Sequence, residues 1–138
     1  MNKVIAVKFA GGKKVDVEIG ETIVKTDQSR ENGGEGSAPE PFDHFLASIA
    51  ACAGIYALEF CSARDIATEG MGLRMICRRD QKLKRYTEMT LELTLPRDFP
   101  EKFCRAIVRA MNLCTVKRHI VNPPEFEIKT LPARPDGK

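Results

Sequence analysis

The chain has 138 residues, 43% hydrophobic and 30% charged, which supplies the core of one domain. Its formal charge of +3 is small and spread along the sequence without a basic block, so nucleic-acid binding has no support. There is no CxxC pair and there are only two histidines, so neither a structural zinc site nor another metal cofactor is expected.

The chain opens with MNKVIAVKF, which alternates like a strand and does not read as a signal peptide. With no export signal, the five cysteines (Cys52, Cys61, Cys77, Cys104 and Cys114) are expected as reduced thiols in the cytoplasm. Residues 2–9 and 13–19 read as a hairpin. Ile5, Val7 and Phe9 alternate with Ala6 and Lys8, Gly11-Gly12 signals the turn, and Val15, Val17 and Ile19 alternate with Asp16 and Glu18. A short strand over Thr22–Thr26 follows Gly20. Residues 27–40, DQSRENGGEGSAPE, are polar and Gly-rich and read as a flexible loop.

Pro41–Ala63 is the longest apolar run and predicts a helix, with Pro41 suited to its first turn. Phe45, Ile49, Cys52 and Tyr56 fall on one stripe, and Leu46, Ala50, Ala53, Ala57 and Phe60 fill adjoining ones. A helix apolar on all sides is expected to be buried on all sides, as the core of a domain rather than a membrane span. Met71, Leu73, Met75 and Cys77 then alternate with polar or small residues, and after a turn near Asp80–Lys82 so do Met89, Leu91, Leu93 and Leu95. This is an antiparallel pair ended by Pro96. Residues 100–112 predict a helix with Phe103, Ile107, Ala110 and Met111 inward. A short helix is expected from near Cys114 to Val121, stopped by Asn122-Pro123-Pro124. A last strand over Glu125–Thr130 and a frayed tail from 132 to 138 complete the chain. The order βββ-α-ββ-αα-β makes residues 1–131 a single α+β domain.

Most of the cysteines read as packing. Cys61 lies nine residues after Cys52, half a turn round the same helix, and cannot share its site. Cys77 sits on the apolar strand face, and Cys104 flanks the stripe of the second helix. Cys114 differs: it stands at a helix start in NLCTVKRHI with Lys117, Arg118 and His119 nearby, a setting of the kind that favours a thiolate. A small buried cap residue is the competing reading there. His44 and His119 lack partners at metal-ligand spacing, and Gly33-Gly34-Glu35-Gly36 lacks the context of a phosphate cradle.

The stretch GEGSAPEPFDHFLASIAACAG, a cysteine in an apolar helix after a Gly/Pro-rich loop, together with NLCTVKRHI, resembles the OsmC/Ohr family of thiol-dependent peroxidases and their OsmC-like relatives. The resemblance implies an OsmC-like fold in which antiparallel sheets wrap a long central helix, and an intertwined homodimer with sites at the interface. It implies reduction of organic hydroperoxides in oxidative-stress defence, with Cys52 peroxidatic, Cys114 resolving, an external thiol or dithiol as reductant, and no metal or haem. In the peroxidases of the family a hairpin arginine, held by a glutamate ten residues before the cysteine, supports the thiolate. This chain has Lys13 and Lys14 in the hairpin, Phe42 at the glutamate position and an acid one place later, Asp43. Asp43 is thus the candidate supporting acid, and Lys13 and Arg30 are candidate cations. The alternative is an OsmC-like protein that binds a small apolar ligand, or does other thiol chemistry, without efficient peroxidase activity.

Overall fold

In the computed structural model, which describes residues 2–135, the first hairpin forms where the alternation predicts it. β1 (Ala6–Phe9) and β2 (Val15–Ile19) pair antiparallel, with Val7 opposite Val17 and Phe9 opposite Val15. Gly11 and Gly12 turn the chain at φ +98° and +57°, a region costly for residues with a β-carbon. β3 (Thr22–Val24) adds to β2, giving the order β1-β2-β3.

α1 runs from Pro41 to Ser62. At its start the Glu40 backbone N–H donates to the Asp43 carboxylate at 3.0 Å, which satisfies one orphan donor of the first turn. Ile49, Ala53, Ala57, Phe60 and Cys61 form its buried stripe. Against that stripe lies α2 (Cys104–Asn112), whose Ile107 and Met111 are buried, preceded by a 3-10 turn at Glu101–Phe103. β4 (Gly72–Asp80) and β5 (Arg85–Thr94) close the core from the other side. Leu73 faces Leu93, Met75 faces Leu91 and Cys77 faces Met89 on the inner face, while Arg74–Glu92 and Arg78–Glu88 pair in water outside. α3 (Thr115–Val121) follows α2 across Leu113 and Cys114.

Three expectations need correction. α1 is not covered on all sides within one chain: Phe42, Phe45, Ile55 and Leu58 are exposed. A 22-residue apolar helix has more surface than one helix and one two-stranded sheet can cover. Residues 123–134 carry no regular secondary structure, so the strand expected over Glu125–Thr130 does not form. A strand is held by a neighbour's backbone, and among the described residues none pairs with this segment. Phe126 and Ile128 stand 86% and 98% exposed as a result. Of the expected tail, residues 136–138 lie outside the described residues.

The third correction concerns residues 27–40, which are a built loop rather than a flexible one. Asp27 is buried, and its carboxylate accepts from the Ser37 hydroxyl at 2.7 Å, the Ser37 N–H at 3.0 Å and the Gln28 N–H at 2.8 Å. Glu40 accepts from the Ser29 N–H and the Asn32 amide, so both ends of the loop are tied. Gly34 has to be glycine, because a β-carbon there would overlap the Gln28 carbonyl and stand 2.8 Å from Asp27 Oδ1. This frame delivers the chain to Pro41 in a fixed direction.

The bonds from Ser37, hydroxyl first, hold the Asp27 carboxyl down at about 2. An unfolded aspartate titrates near about 4, so the stabilisation is complete above that pH and is lost as pH falls toward the folded value. Asp27→Asn is therefore expected to melt several degrees below wild type at pH 7, with the gap closing between about pH 4 and about pH 2. Calorimetry across that range checks it. A gap constant down to pH 2 would contradict the assignment.

Candidate functional site

Cys52 sits at the middle of α1, half-buried, on the flank of the buried stripe rather than in it. Tyr56 is one turn further along the same flank. Long helical side chains lean back toward the preceding turn, which from Tyr56 is the direction of Cys52.

Cys114 is set by the corner between α2 and α3. Its own N–H donates to the Met111 carbonyl at 3.2 Å, which ends α2. Its carbonyl accepts from the Arg118 N–H at 3.0 Å, which begins α3. The sulfur accepts from the Lys117 N–H at 3.4 Å, and the residue is 2% exposed. Cys114 is thus the buried cap of α3, which the cap reading of the sequence anticipated. Being a cap does not exclude a redox role.

The two cysteine-bearing segments meet through polar side chains. Thr115, next to Cys114, hydrogen-bonds through Oγ1 to Tyr56 Oη at 3.1 Å. Arg118 donates from Nη2 to Thr115 Oγ1 at 3.3 Å and to Tyr56 Oη at 3.5 Å. Sequence reasoning attached Arg118 to Cys114 alone and missed Tyr56 and Thr115. The available signal was the four-residue spacing, Cys52 to Tyr56 and Cys114 to Arg118, which puts each pair on one helix face.

The other candidates are held elsewhere. Asp43 caps α1. Lys13 is exposed, its Cε lying 3.8 Å from where a β-carbon on Gly33 would stand, and its neighbour Lys14 pairs with Glu35 at 2.7 Å. Arg30 lies in a 3-10 turn (Arg30–Asn32) and donates from Nε to the Glu35 carbonyl at 3.4 Å. The first hairpin and the 27–40 loop thus engage each other, with Lys14 and Arg30 both held on Glu35.

A cavity of about 600 Å³ opens between α1, β5, α2 and α3. Leu91, Leu93 and Ile107 supply apolar wall, and Cys114 and Lys117 supply polar atoms. Ile49 and Ala53, which flank Cys52 on α1, also line it. The thiols in its wall are Cys104 and Cys114, while Cys52 itself does not line it, so the arrangement can hold an apolar molecule against Cys114. Cys61 is different in kind: it is 0% exposed, and burial pushes its thiol up, only partly countered by Arg64. Among the described residues no three His, Cys, Asp or Glu side chains cluster to hold a metal ion.

Residues 34–129 match the family model described as OsmC-like protein. No curated protein matches the chain. Solved structures share its fold. A Psychrobacter arcticus protein attributed to osmotic stress and detoxification response superposes with TM-score 0.72 at 18% identity, covering 86% of this chain and 87% of that one. An OsmC-like protein from Mycoplasma pneumoniae gives 0.69 at 12%, with 89% of each chain covered. An organic hydroperoxide resistance protein from Legionella pneumophila gives 0.53 at 21%, covering 87% of this chain and 89% of that one.

The exposures set an order of thiol reactivity. Iodoacetamide is expected to alkylate Cys52 of the folded protein at least about tenfold faster than Cys61, read by fragmentation of the tryptic peptide 31–64 that carries both, because Cys61 is inaccessible and poorly ionised. Equal rates at the two sites would contradict this geometry.

Proposed function

Because the chain belongs to the OsmC-like protein family, we infer that it reduces organic hydroperoxides through Cys52 and Cys114, drawing on a thiol or dithiol reductant, as a cytoplasmic oxidative-stress enzyme. One observation supports this most: the Tyr56–Thr115 hydrogen bond holds the segment bearing Cys114 against the helix bearing Cys52.

In this reading the Cys52 thiolate attacks the terminal oxygen of R–O–OH. The O–O bond breaks, the alkoxide takes a proton and leaves as the alcohol, and the sulfur becomes a sulfenic acid. The Cys114 thiol then displaces the hydroxyl, forming a disulfide and releasing water. Two reducing equivalents from external thiols restore both cysteines and leave as the reductant's own disulfide. The apolar cavity walls would take the organic part of the peroxide, which favours organic hydroperoxides over hydrogen peroxide. Asp43 acts indirectly, by fixing the start of α1. Lys13 and Arg30 border the loop that leads into α1 and are the cations that chain pairing would bring to the site.

The same reading includes a homodimer. Phe42 and Phe45 near the start of α1, and Ile55 and Leu58 on a different side nearer its end, are exposed apolar pairs, and Val7 and Phe9 are exposed on the first sheet. A second copy would cover them.

A second reading, a small-molecule binder without efficient turnover, draws support from the cavity and from the engagement of Lys14 and Arg30 with Glu35. Cumene hydroperoxide consumption with a dithiol separates the two. Cys52→Ser is expected to lose at least about a hundredfold in rate, and Cys114→Ser to complete one oxidation per site and then stall. Equal slow consumption by wild type and Cys52→Ser would leave only the binding reading. Sedimentation at twice the 15.4 kDa chain mass is expected, and a monomer mass would refute the pairing.

A further inference from the structure

We propose that the free end of the β4–β5 hairpin is a docking surface for an anionic membrane, its cations resting on lipid headgroups with Leu83 dipping between them. The inference does not depend on what the thiols do.

Residues 78–85, RRDQKLKR, place five cations and one acid within eight positions of a chain whose net charge is only +3. Asp80, Gln81 and Leu83 interrupt the series, so it does not read as a basic block along the sequence. The hairpin removes the interruption. Arg79 stands opposite Tyr86 and Asp80 opposite Arg85, so the cations of both arms gather at one end. Arg78 is neutralised by Glu88 at 3.0 Å. Arg79 donates from Nη2 to the Lys84 carbonyl at 3.4 Å, which holds the side chain but leaves its charge uncompensated. Lys82, Lys84 and Arg85 are exposed and take part in no ion pair among the described residues. The acid of the series is occupied by the turn itself. Asp80 Oδ1 accepts from the Lys82 and Leu83 N–H groups at 2.8 Å each, and this fixes Leu83 at the tip.

Leu83 is 59% exposed. A single exposed leucine is common on protein surfaces. Here, however, it stands at the apex of a turn with a lysine on either side. Tyr86, the residue after Arg85, stacks on Phe42 with ring centroids 5.8 Å apart and planes 5° from parallel. That contact ties the hairpin to the start of α1 just behind the charged end, which is therefore presented on a braced support.

The chemistry of the tip selects among polyanions. Nucleic-acid phosphates attract the cations but give a leucine nothing to enter. An acidic peptide needs a groove or an open sheet edge to lie in, and the apex of a turn has neither. An anionic lipid surface takes both components at once. Each Lys or Arg close to it gains Coulomb attraction, and an aliphatic side chain gains burial at the headgroup boundary.

The test is co-sedimentation of the full-length protein with vesicles of phosphatidylcholine alone, or of phosphatidylcholine and phosphatidylglycerol in equal amounts. Wild type is expected to partition onto the anionic vesicles at least about a hundredfold better than onto the neutral ones, and to be released at about 0.5 M salt. Lys82→Gln combined with Lys84→Gln is expected to lower that partitioning about thirtyfold. Leu83→Ser is expected to lower it about fivefold while leaving the salt dependence unchanged. Lys3→Gln combined with Lys129→Gln removes the same charge far from the hairpin in sequence and is expected to change it less than about twofold. All these positions are exposed, and circular dichroism confirms that each variant is folded. Wild type that stays in solution with both kinds of vesicle overturns the proposal. So do equal losses in the two double-lysine variants, because binding would then follow net charge rather than the hairpin. Binding to duplex DNA without binding to anionic vesicles would assign the surface to nucleic acid and overturn it as well.

Discussion

Burial of α1 is the constraint from which the rest of the molecule follows. Twenty-two residues from Pro41 to Ser62 carry apolar side chains nearly all the way round, and water opposes every uncovered one. α2 and the β4–β5 pair cover the stripe from Ile49 to Cys61. Fully burying a side chain such as Ile107 is worth about 1.5–3 kcal/mol, so this packing holds the helices in register. It leaves Phe42, Phe45, Ile55 and Leu58 exposed.

The thiol chemistry is a consequence of where each cysteine falls against that packing. Cys61 lies in the buried stripe, and burial alone makes it inert. Cys52, nine residues earlier and half a turn round, falls on the flank that also carries Tyr56, the residue hydrogen-bonded to Thr115 of α3. Nine residues on one helix thus separate a filler thiol from a candidate nucleophile. Cys114 combines the two situations, buried like Cys61 but at a helix start where its sulfur accepts a backbone hydrogen bond.

Much of this was legible because it is local. The α1 run, the period-two strands and the Gly11-Gly12 turn are patterns within one element, and the helix from Pro41 formed within a residue of its expected end. The two cysteine contexts were legible through family resemblance rather than through any computable distance. What escaped depends on residues far apart in sequence. Glycines 33, 34 and 36 suggested flexibility, whereas Asp27 organises the loop by bonding Ser37, ten residues away. Arg118 looked like part of a basic cluster around Cys114 until the approach of α3 to α1 aimed it at Tyr56. The alternation of Phe126 and Ile128 was real, but alternation states only what a strand would do if it had a neighbour.

The central claim is that Cys52 and Cys114 form one redox couple. Its most direct test is a non-reducing tryptic map of the protein after one equivalent of cumene hydroperoxide. The account predicts a new species joining residues 31–64 to residues 110–117, with fragmentation assigning the bond to Cys52 and Cys114 and with Cys61 still a free thiol. Overoxidised Cys52 with Cys114 untouched, or a disulfide through Cys61, would contradict it.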